Sequence, residues 1–184
     1  MSYKNENMKM IELHENGLDI QFRIRENGVV ELADFSSQEV KKAVMEPKDD
    51  ICYPAVEIHR SGTGSLNMHA YKNNINQSSV DFVYENHELK AQAGGKELEI
   101  VMISPEKLKA VYHMRLFDGV PTVQTWTEII NEGSEDQGLT YVSSFMYQGI
   151  SRGGEKPYYK KTDIYVPFNS WCCEAQWQKY DAET

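Results

Sequence analysis

Four carboxylates on predicted strands, Glu57, Glu128, Asp163 and Glu174, and three tryptophans, Trp126, Trp171 and Trp177, are the residues here whose types suit a defined chemistry. Hydrolysis of a glycosidic bond needs two carboxyl groups about 5 to 9 Å apart across the sugar. Tryptophan offers the flat apolar surface on which a sugar's C–H face packs, while amides and carboxylates take its hydroxyls. Both features meet in the stretch 163–177. Read with a two-residue period, Trp171, Cys173, Ala175 and Trp177 fall on one face, and Cys172, Glu174, Gln176 and Gln178 on the other. Glu174 stands out among the carboxylates because Gln176 shares its face. The spacing pairs no two of the four, so no acid/base couple is expected from this chain, and tryptophans of an all-β protein belong first to its core.

Other chemistries fare worse. Ser61-Gly62-Thr63-Gly64-Ser65 resembles a phosphate loop but lacks the Lys-Ser/Thr ending and the helix that follows it, so it reads as a glycine-rich turn. His59, His69, His87 and His113 show no zinc-site spacing, which predicts surface or loop histidines and neither metal nor cofactor. Ser143-Ser144 and Ser170 lack the Gly-x-Ser-x-Gly elbow of a serine nucleophile. Cys52, Cys172 and Cys173 are an odd set that makes no disulfide framework, and adjacent cysteines on a strand face opposite ways.

The elements that would position these residues are short strands between turns. Leu18, Ile20, Phe22 and Ile24 alternate with Asp19, Gln21, Arg23 and Arg25, and Glu26-Asn27-Gly28 turns the chain into a second strand, Val29 to Phe35. Ser37 to Met45 has the makings of one or two helical turns, stopped by Pro47. Further strands are expected at Ala55–His59, Val80–Gln92, Glu97–Ile103, Leu108–Leu116, Thr122–Asn131 and Leu139–Gln148, with two more in the closing segment. Roughly ten strands with hardly any helical period predict an all-β, antiparallel β-sandwich. One domain, 18–184, is expected behind an N-terminal extension, 1–17.

Composition agrees. Aromatic content of 11% with only 6 prolines marks a folded chain, and a net charge of −9 argues against a nucleic-acid partner. Residues 1–10 are polar, with no signal-peptide core, and no apolar run approaches the roughly 20 residues of a membrane span, so a cytoplasmic, reduced protein is expected.

The order of several segments adds a resemblance. Val56-Glu57-Ile58 before a glycine-containing loop, the run Val123 to Gly133 around Trp126, Val142-Ser143-Ser144-Phe145 and the closing Asn169 to Trp177 are together similar to the N-terminal β-supersandwich of family-36 glycoside hydrolases, the α-galactosidases. The resemblance spans Leu18 to the C-terminus, and order and spacing carry it, since no single motif is diagnostic. It implies a retaining enzyme whose two catalytic aspartates lie on a (β/α)₈ barrel of at least ~200 residues, none of which is in this chain. Lys179-Tyr180-Asp181 only faintly echoes the family's nucleophile strand and follows a β-domain strand directly, so it carries no catalytic role.

The resemblance therefore implies a non-catalytic β-domain, the first part of a larger supersandwich, partnered by the barrel of its own protein. Missing strands would leave an open sheet edge and apolar surface, which predicts self-association. The loop Asp49–Asn67 would approach the active-site mouth, giving Tyr53 and Arg60 an indirect place near galactoside substrate, with Trp126 and Glu174 as further substrate-proximal candidates. A free-standing carbohydrate-binding or interaction sandwich is the alternative expectation.

Overall fold

A computed structural model describes residues 9–37, 53–63, 77–147 and 163–181. These fall into two compact units: 9–37, 53–63 and 77–147 belong to the first, and 163–181 to the second. The architecture is all-β and antiparallel, as expected. Eleven strands and one helical turn, α1 (Gln77–Val80), are present among the described residues.

The first unit is built on two sheets. One has the order β1-β2-β3, with β1 at Lys9–Glu15, β2 at Leu18–Ile24 and β3 at Val30–Ser37. The predicted alternation in β2 holds over Leu18–Phe22, where Leu18, Ile20 and Phe22 are buried and Asp19 and Gln21 half-buried, but Arg23, expected on the wet face, is buried beside Glu31. Gly28 closes the β2–β3 turn at a φ of 85°, which favours glycine, and its amide donates to the Arg25 carbonyl at 2.9 Å. Lys9–Glu15, placed in the N-terminal extension by the sequence, pairs along its whole length with β2.

The other sheet has the order β5-β6-β7-β8: Val83–Gln92, Gly95–Ile103, Leu108–Phe117 and Val120–Asn131. Each strand turns directly into the next, so every pair is a hairpin. The inward side chains of the two sheets share one core, in which Ile20, Phe22 and Leu32 cluster with Leu98, Ile100, Ala110 and Met114. Phe22 meets Tyr112 edge to face, ring centroids 5.7 Å apart. That face-to-face packing is the sandwich.

A short pair, β4 (Ile58–Arg60) with β9 (Leu139–Val142), completes the unit. Both are shorter than the sequence predicts, and Ala55 and Val56 join the core from irregular chain. The helical turns expected at 37–45 lie outside the described residues apart from Ser37, which ends β3; Gly64, Ser65, His69 and Cys52 lie outside them too.

The second unit is a hairpin of β10 (Asp163–Ser170) and β11 (Cys173–Asp181). Here the expected alternation fails. Trp171 and Cys172 form the turn between the strands, and Cys172 and Ala175 take positive φ values of 59° and 52°. The register slips between Phe168 and Ser170, so residues 171–177 do not share two clean faces. Trp171 is 92% exposed and Trp177 65%, which corrects their assignment to a buried core face. The two cysteines are both exposed, one in the turn and one on the strand.

Candidate functional site

The outer face of the four-stranded sheet carries a row of acidic, imidazole and indole side chains. Register sets it: Glu88 of β5 stands beside Glu99 of β6, Glu99 beside His113 of β7, and His113 beside Trp126 of β8. Side chains two residues apart on a strand share a face, so Glu97 and Glu128 join this row. The Trp126 indole lies flat on the His113 imidazole, 4.6 Å between centroids and 6° from parallel. That stack buries His113 on a face where an exposed histidine was expected.

Three carboxylates surround the imidazole. Glu97 Oε1 is 2.9 Å from His113 Nδ1, Glu99 Oε1 is 4.0 Å from the same nitrogen, and Glu128 Oε2 is 3.7 Å from Nε2. The far oxygens of two of them are held from outside: Gln92 Nε2 donates to Glu97 Oε2 at 2.6 Å and Lys90 Nζ to Glu99 Oε2 at 2.5 Å. The bond to Glu99 raises the Lys90 pKa above its ordinary value against the opposing effect of desolvation, with the charges of Glu99, Glu88 and Glu97 adding to the rise. Arg115, opposite Glu97 in register, donates to the Ala93 carbonyl at 3.2 Å and lies over the Phe117 ring.

A second junction ties distant segments together. The Glu57 amide donates to Ser143 Oγ at 2.8 Å, the Ser143 amide donates to the Glu57 carbonyl at 2.8 Å, and Thr127 Oγ1 donates to the Ser143 carbonyl at 2.8 Å. Ser78 and Ser79 of α1 cap the same region, each hydroxyl donating to the Ile58 carbonyl.

Tyr53 is half-buried and its amide donates to Glu31 Oε1 at 2.9 Å. Arg60 is buried, its guanidinium held by Asp81 at 3.1 Å and Glu106 at 2.6 Å. Burial pushes the Glu106 carboxyl up, but hydrogen bonds from backbone, Arg60 and Ser104 hold it below its ordinary value. Trp126 is half-buried on the outer sheet face. Glu174 is exposed in the second unit, in a shallow recess lined with Asn169, Ser170, Trp171 and Ala175. The four candidates have separate surroundings.

The four carboxylates are likewise each engaged apart: Glu57 with His59 at 3.0 Å, Glu128 with His113, and Asp163 with Lys179 at 2.9 Å, while Glu174 lines the recess. The group that sequence reading missed is Glu97, Glu99 and His113, whose ligating atoms lie within 4.8 Å of one another. No local signal marks it: counting outward from the Ser104-Pro105-Glu106-Lys107 turn pairs Glu99 with Tyr112, and only the observed register, with Ile103 opposite Lys109, sets Glu99 beside His113. Among the described residues, no helix is long and apolar enough to cross a membrane.

No protein-family profile and no curated protein matches the chain.

Proposed function

We propose that this chain is a non-catalytic β-domain of an α-galactosidase-type enzyme of glycoside hydrolase family 36, cytoplasmic, with a structural and assembly role beside a (β/α)₈ catalytic barrel. The supporting observation is the junction at Ser143. Three of the four segments that carry the resemblance, around Glu57, Thr127 and Ser143, are joined by hydrogen bonds of 2.8 Å, with Glu57 and Ser143 86 residues apart. Segments kept in a fixed order for a shared structural reason are expected to meet in this way. The engagement of Glu57, Glu128 and Asp163 in their own separate pairs fits a domain that leaves bond cleavage to the barrel.

A second reading is a free-standing carbohydrate-binding sandwich. The recess beside Trp171 favours it, since Asn169 and Glu174 stand next to an exposed indole. Titration of the chain with galactose and with a raffinose-type galactoside separates the two. The first reading predicts no saturable heat or fluorescence change. Saturable binding that is lost on Trp171→Ala would replace it with the second.

Self-association belongs to the first reading, because a β-domain without its barrel leaves apolar surface and strand edges open. Elution from a size-exclusion column is expected to move to larger apparent size as loading concentration rises. A single monomer peak at all concentrations would remove this part of the proposal.

A further inference from the structure

We propose that the outer face of the four-stranded sheet binds one divalent first-row transition ion, held by Glu97 Oε1, Glu99 Oε1 and His113 Nδ1, with Glu128 as the outer carboxylate that orients the imidazole. This goes beyond the proposed function and does not depend on it. The three ligating atoms come from adjacent strands whose register is fixed over nine residue pairs. In a tetrahedral site with bonds of about 2.0 to 2.2 Å, ligand atoms stand about 3.3 to 3.5 Å apart. The distances from Nδ1 to the two oxygens, 2.9 and 4.0 Å, bracket that spacing.

The surroundings are those of an oriented ligand set. Each glutamate has its outer oxygen held, Glu97 by Gln92 and Glu99 by Lys90, while the inner oxygen is turned to His113. Such outer partners fix first-contact ligands in metal sites. Trp126 clamps the imidazole plane from one side.

The second, independent observation is His113 Nε2. The residue is only 8% exposed, and this nitrogen is buried without a hydrogen bond, facing Glu128 Oε2 across 3.7 Å. With the proton on Nδ1, donated to Glu97, a bare Nε2 lone pair shut off from water would face a carboxylate, acceptor against acceptor. A cation on Nδ1 reverses the arrangement. It displaces that proton, the neutral ring carries its proton on Nε2, and the N–H points at Glu128 as in carboxylate–histidine–metal triads. One imidazole with two carboxylates suits zinc, manganese or iron better than a thiolate-seeking ion.

A competing occupant is a second proton on His113, which would satisfy the same carboxylates without metal. The experiment uses the full chain without an affinity tag, stripped with chelator and titrated with Co²⁺ followed by visible absorption. One equivalent is expected to give saturable d–d bands that Zn²⁺ abolishes. Glu99→Gln is expected to weaken binding at least about 100-fold and Glu128→Gln about 10-fold, while the double variant Cys172→Ser/Cys173→Ser leaves it unchanged. Metal-free thermal melts show whether each variant is folded; Glu128, whose side chain is 56% exposed, gives the variant least exposed to folding failure. No saturable band from the unaltered chain overturns the proposal and leaves the protonated imidazole. Binding that survives both glutamate substitutions but is lost with the cysteines also overturns it.

Discussion

Tyr112 shows how a single side chain couples the core to solution conditions. It packs against Phe22 between the two sheets and is 1% exposed. Burial pushes its hydroxyl well above the ordinary value of 10.0, and the Thr125 side chain opposes only part of that rise. Above pH 10 the unfolded chain gives up this proton and the folded one keeps it, so the unfolded state binds fewer protons and stability falls as pH rises. The slope from this group approaches about 1.4 kcal/mol per pH unit. Denaturant unfolding at pH 9, 10 and 11 is expected to show a steeper alkaline loss in the parent than in Tyr112→Phe. Equal slopes would contradict the account of its burial. At the same scale, the histidines divide by their neighbours. The hydrogen bond to Asp19 raises the His14 pKa, whereas burial, reinforced by Lys9, lowers that of His87. His113, one strand face away from the core, was unreadable in the sequence because nothing local announces the indole that covers it.

At the scale of elements, turns were legible and irregular strands were not. Asn27-Gly28, Gly94-Gly95 and Asp118-Gly119 end strands where left-handed or crowded backbone requires glycine, and the hairpins they close are all present. The β10–β11 hairpin escaped the period because its left-handed positions are Cys172 and Ala175, residues that give no turn signal. The short β4 and β9 escaped for the opposite reason, since strand-forming residues extend beyond the paired positions, before Ile58 in β4 and after Val142 in β9. Gly95 marks where the β6–β7 register depends on one missing side chain. A Cβ there would lie 1.9 Å from the Leu116 carbonyl oxygen, a backbone atom that cannot swing aside. Gly95→Ala is therefore expected to cost about 1 to 3 kcal/mol, read as a lower denaturation midpoint with the slope retained. An unchanged midpoint would contradict the Gly95–Phe117 pairing.

For the whole molecule, sequence pattern gave the all-β class because class depends on period and punctuation, which are local. It could not give the outer-face cluster or the Ser143 junction, which need strands brought together across 86 residues in the case of Glu57 and Ser143. Function at this scale rests on the proposal that the chain serves a catalytic barrel. The most direct measurement is hydrolysis of an aryl α-galactoside by the full natural product of the gene, set beside the 184-residue chain alone. Turnover is expected from the full product and none from the chain. Turnover by the isolated chain, or an inactive full product, would contradict that proposal.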